Sequence, residues 1–156
     1  PGLLPLSQEG KVNRREAGKT LLAGLLALGG AGRGQTPVPA PVRIAEPSRL
    51  LEVWADLEFR FAGQPCLLVR VPPPARPSPR VLEVQGVFLT AFSRVCPHAG
   101  CTVPLPDQQR FIECGCHGSR FQADGLRVAG PAPTDLPGIR LELREGAVWA
   151  VGWLDG

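Results

Sequence analysis

The sequence predicts an all-β protein, an antiparallel sandwich or small barrel, with a signal or anchor helix in front of it. Two observations carry that prediction. Gly (19) and Pro (18) are abundant among the 156 residues, as expected for short strands joined by many turns. The β-type runs are brief and bounded by Gly, Pro or Asp. Several alternate apolar with polar side chains, as in Arg140-Leu141-Glu142-Leu143-Arg144. Neither a long amphipathic helix nor an internal repeat is legible. The length is that of one domain with a core of its own.

Residues 1–33 read as a targeting segment. Asn13-Arg14-Arg15-Glu16-Ala17-Gly18-Lys19 leads into the charge-free run Thr20–Gly32. A twin arginine ahead of an apolar run resembles a twin-arginine export signal, although Ala17 and Gly18 stand where larger apolar residues are usual. As a helix the run would reach about 20 Å, against a hydrocarbon core of about 30 Å. A cleaved signal and a retained membrane anchor both fit it. Residues 34–42, with Pro37, Pro39 and Pro41, form a Pro-rich tether.

Strands are expected over Leu50–Val53, Glu58–Phe61, Cys66–Val71, Val81–Val84, Val87–Ser93, Arg110–Glu113, Ile139–Leu143 and Ala147–Val151. Glu145-Gly146 is read as a tight hairpin turn. Pro72–Arg80 holds five prolines and must be a loop. Trp54, Phe59, Phe61, Phe88, Trp149 and Trp153 are assigned to the core, and Cys66 is read as a buried small hydrophobe. Residues 36–156 carry twelve basic and twelve acidic side chains. That balance offers no nucleic-acid surface.

The chemistry concentrates in 24 residues. Cys96-Pro97-His98-Ala99-Gly100-Cys101 and Cys114-Gly115-Cys116-His117-Gly118-Ser119 contain both histidines and four of the five cysteines. Soft sulfur and nitrogen donors at such short spacings are metal-ligand chemistry. Structural zinc prefers C-x₂₋₄-C knuckles, so Cys-x-His argues against it.

These two boxes resemble the Rieske iron–sulfur family, whose motifs read C-x-H-x-G-C and C-x-C-H-G-S. Gly130-Pro131-Ala132-Pro133 matches the family's proline loop, so the likeness covers residues 96–133. It implies a Rieske-type β sandwich over 43–156, with an inserted cluster-binding subdomain at 94–133. It further implies one [2Fe–2S] cluster per chain, with Cys96 and Cys114 on one iron and His98 and His117 on the other. Neutral imidazoles in place of two thiolates raise the reduction potential. Cys101 and Cys116 are implied to form a disulfide, which needs an oxidising compartment, in agreement with export.

Ser119 matches a serine that hydrogen-bonds a bridging sulfide. The tyrosine expected two residues later is Phe121, and the chain has no tyrosine. The potential is therefore expected to lie below that of members with both donors. Arg120 would offset part of that loss if its charge lay close. Ala99 occupies a tip position where quinol-oxidising complexes commonly carry a bulkier apolar residue.

By the same resemblance the chain is an electron-transfer subunit rather than a stand-alone catalyst. The expected role is in a bc-type respiratory complex. One electron, and a proton on a histidine ligand, would come from quinol in contact with His117. The electron would then go to a c-type cytochrome. Cytochrome b and a c-type cytochrome are the implied partners, with the head on the periplasmic side of the cell membrane. The alternative is the small subunit of an arsenite-oxidase-type enzyme, relaying electrons from a molybdopterin subunit. An oxygenase component is disfavoured by the two extra cysteines and by the lack of room for a catalytic domain.

Overall fold

Among the described residues, ten short strands form three antiparallel sheets. The computed structural model describes residues 37–154. The expected signal or anchor and the first residues of the tether lie outside them. No helix among the described residues is long and apolar enough to cross a membrane.

The first sheet has the order β1-β10-β9, from Val42–Ala45, Ala147–Trp153 and Ile139–Arg144. The second has the order β2-β3-β5-β4, from Asp56–Phe61, Gln64–Val71, Val87–Ser93 and Val81–Val84. The third has the order β6-β7-β8, from Phe111–Glu113, Arg120–Gln122 and Arg127–Ala129. The β9–β10 hairpin turns on Glu145-Gly146, with φ of 50° and 75°, the type I′ turn that suits the strand twist.

The second sheet is the middle layer, and β3 shows why. Its residues read as an almost continuous apolar run, the mark of a strand covered on both faces. Cys66 and Leu68 pack with Leu89 and Ala91 of β5 against Ile139, Leu141, Val148 and Ala150 of the first sheet. Leu67, Val69 and Val71 point the other way, into a core with Phe92, Val103, Ile112, Phe121, Ala132 and Leu136. Cys96 and Cys114 belong to this second core.

Most predicted strands agree with the observed ones to within about two residues, and the segment from Pro72 to Pro79 carries no strand or helix. Leu50–Val53 is not a strand. A short 3-10 turn, Pro47–Arg49, precedes it. The chain then bends through Ala55 N–H to Glu52 C=O and places Trp54 at φ 76°, leaving Leu51 78% exposed. Strands β1, β7 and β8 were not anticipated. Each has three or four residues and carries little periodic signal. Of the six aromatics assigned to the core only Phe61 is fully buried; the other five are half-buried. Phe92 and Phe121 fill the interior instead.

Cys66 is buried as expected and donates its thiol to Gln64 C=O at 3.5 Å. Burial pushes that thiol up to about 11.

Candidate metal centre

Both cysteine boxes fold into the same loop. In the first, Cys96 N–H donates to Cys101 C=O at 2.8 Å and Gly100 N–H donates back to Cys96 C=O at 2.9 Å. In the second, Cys114 N–H donates to Ser119 C=O at 2.8 Å and Gly118 N–H to Cys114 C=O at 2.9 Å. The wiring is position-for-position identical. It requires a left-handed residue four places after the leading cysteine, and Gly100 and Gly118 supply φ of 78° and 72°. This local repeat escaped the sequence reading because the side chains that differ between the loops are the conspicuous ones.

The loops bring the site residues together as two layers. Cys96 and Cys114 lie below, 1% and 2% exposed, and neither takes part in a disulfide. His98 and His117 lie above on the exposed tip, with ring centroids 4.6 Å apart and planes at 86°. Cys101 and Cys116 are joined by a disulfide across the loops, Cα to Cα 6.6 Å. The Cys114 sulfur lies within 4.8 Å of both disulfide sulfurs.

A third segment closes over the second loop. Ala132 N–H donates to the Ser119 hydroxyl oxygen at 3.0 Å, and both residues are buried. That bond occupies a lone pair of the hydroxyl and leaves its own proton available to donate. Gly130, at φ 93°, lies so close that a Cβ there would fall 2.5 Å from Ser119 Cα. Phe121 is fully buried in the same core as Cys96 and Cys114. Arg120 stacks its guanidinium on Phe111, 4.0 Å from the ring centroid, and its Nε is buried without a hydrogen-bond partner.

Two supports were not visible in the sequence. Arg94 sits two residues before Cys96, and its guanidinium donates twice to Val103 C=O, at 3.0 and 2.8 Å. It also pairs with Glu58 of β2, so one side chain clamps the ends of the first loop onto the middle sheet. Trp54 is the second, with the Arg110 guanidinium 5.0 Å from its ring centroid. Nothing in an isolated arginine or tryptophan announces such a contact.

The match to known proteins follows this geometry. The family model of the Rieske [2Fe-2S] domain matches residues 48–140. This chain belongs to the Rieske family. Similar to it are the cytochrome bc1 complex Rieske iron-sulfur subunit of Streptomyces lividans, 36% identical over 112 residues, 69% of this chain and 66% of that one. The cytochrome b6-f complex iron-sulfur subunit 1 of Synechocystis is 29% identical over 134 residues, 81% and 67% of the two chains. The chain spans 66% and 32% of the lengths of the first two Streptomyces relatives.

Among solved structures, the soluble domain of Rieske protein II from Sulfolobus acidocaldarius shares the fold. Its TM-score is 0.55 at 24% identity, covering 73% of this chain and 78% of that one.

A Rieske domain holds one [2Fe–2S] cluster, and the donors here fit it. Two sulfurs shielded from water and two imidazoles at the surface form a mixed soft-donor set with one dry and one wet side.

Proposed function

We propose that Cys96 and Cys114 hold one iron and His98 and His117 the other. On this reading the chain is the Rieske subunit of a quinol-oxidising, bc-type membrane complex. When bound, the cluster supplies a one-electron acceptor. The observation that carries the reading is the pair of exposed imidazoles 4.6 Å apart above two buried thiols. Imidazoles at the surface can meet a partner molecule, whereas thiols in the apolar core cannot.

The residues divide the work. His117 presents its free ring nitrogen to the quinol hydroxyl and takes the proton that leaves with the electron. Ser119, held by Ala132 N–H, turns its own proton toward the sulfur side and favours the more negative charge state there. The core around Cys96, Cys114, Phe121 and Ile112 excludes water from the sulfur layer. Support for the complex comes from the relatives, which are bc1 and b6-f subunits. The electron then passes to a c-type cytochrome, with cytochrome b as the docking partner and the head on the extracytoplasmic side of the membrane. The disulfide favours that side, because reducing compartments do not retain it.

Purification of the parent complex tests this. Co-purifying cytochrome b and haem c, with reduction by a quinol that requires cytochrome b, is the expected result. A molybdopterin subunit in their place would move the chain to the arsenite-oxidase type. For the ligands, His117→Ala should abolish the visible and EPR signatures of the cluster; an unchanged spectrum would remove His117 from the set.

A further inference from the structure

We propose that the three sulfurs beside the tip form an exchange device: in a chain without its cluster, Cys114 displaces Cys116 from the disulfide. The Cys101, Cys114 and Cys116 sulfurs all lie within 4.8 Å of one another, two of them bonded and the third a free thiol. Thiol–disulfide exchange needs only that a thiol reach a disulfide sulfur, and no external oxidant is consumed. Cys96 shares the core with Cys114 but is not one of these three sulfurs, and Cys66 lies in the opposite core.

The geometry also selects the direction. A Cys114–Cys116 bond would close a very small ring between residues two apart, so attack falls on the Cys101 sulfur. The Cys114–Cys101 bond forms and the Cys101–Cys116 bond breaks. The electron pair leaves on the Cys116 sulfur, and the proton given up by Cys114 is taken up there. Burial favours the product. Cys114 is 2% exposed while Cys116 lies at the surface, so exchange moves the polar S–H from the core into water.

This inference rests on the reading of Cys114 as a ligand in one respect: cluster binding occupies that sulfur and blocks the exchange. The consequence is an order of assembly. A head oxidised before loading, or stripped afterwards, ties up one ligand in the new bond and displays Cys116 as a reactive surface thiol. Loading before disulfide formation avoids that loss.

The full chain, loaded and then stripped by iron chelation without reductant, provides the test. After alkylation and tryptic cleavage without reduction, residues 95–110 and 111–120 remain linked, and the alkylated cysteine of the second peptide is located by fragmentation. In the stripped chain, label on Cys116 is expected in about a tenth or more of linked peptides, since the two closed loops differ by only two residues. In the loaded chain no label on Cys116 is expected. Label on Cys114 alone in the stripped chain would overturn the exchange. Label on Cys116 in the loaded chain would overturn the blocking role of the cluster. Iron retention by Cys114→Ser checks the ligand reading separately. A dithiol should raise reloading of the stripped chain by the fraction that carries label on Cys116; equal reloading with and without one would count against the proposal.

Discussion

Replacing Gly130 by alanine puts the closure of the proline loop to a quantitative test. Two costs are expected. The backbone sits at φ 93°, where an L side chain loses about 1–2 kcal/mol. In addition the new Cβ would lie 2.5 Å from Ser119 Cα and 2.8 Å from Gly118 C=O. Neither is a flexible side-chain end, so the two segments must separate, at about 1–3 kcal/mol by analogy with overpacked cores. The total is about 2–5 kcal/mol. Gly146→Ala is the control, because φ there is 75° but nothing lies within 4 Å; only the conformational cost applies. Urea unfolding followed by tryptophan fluorescence should give a Gly130 variant less stable than the control by about 2 kcal/mol, with similar m-values. Two variants within about 0.5 kcal/mol of each other would show that the loop yields freely and does not hold Ser119.

Three further outcomes are expected. Removing the staple with Cys101→Ala and Cys116→Ala together opens a loop of sequence separation 15 and should cost about 3 kcal/mol, read by thermal unfolding; a smaller loss would mean that the two loops hold each other without it. Phe121→Tyr places a hydroxyl in the core shared with Cys96 and Cys114. One hydrogen bond of about 1 kcal/mol then corresponds to a rise of about 40 mV in a one-electron titration, and no rise with an intact cluster would refute the assignment. Cys66 supplies a pH signature. Its folded-state value, raised by burial from 9.0 to about 11, means that the stability tied to the protonated thiol is fully present below pH 9 and lost as pH rises through 11. The decline over that window should be shallower in Cys66→Ala, and identical profiles would show that the thiol does not titrate with unfolding.

Much of the fold was legible because the long strands carry their own signal. The apolar run of β3 and the alternation of β9 identify those strands unaided. The turn at Glu145-Gly146 likewise depends only on its own two residues. Leu50–Val53 misled because it is apolar without a ladder of its own: the Leu50 and Leu51 carbonyls accept from the Arg70 guanidinium, and the chain then bends at Glu52–Ala55. The disulfide and the juxtaposed histidines followed from a resemblance, and the structure places both pairs together. The clamp by Arg94 had no sequence signal, since it joins residues 36 apart and recruits a carbonyl rather than a recognisable side chain.

The sharing of β3 between two cores has a bearing on how the head can be taken apart. The small β6-β7-β8 sheet has no closed interior; its apolar side rests on Leu67, Val69 and Val71 of the strand whose other face anchors the rest of the molecule. A transplant of residues 94–133 alone into another scaffold would leave that side wet, so the metal-binding lobe is not a portable module. A lesion on the far side of the sheet, at Leu68 or Ala150, would in turn be felt at the sulfurs without touching them. Cluster retention should thus serve as a sensitive gauge of packing throughout the head.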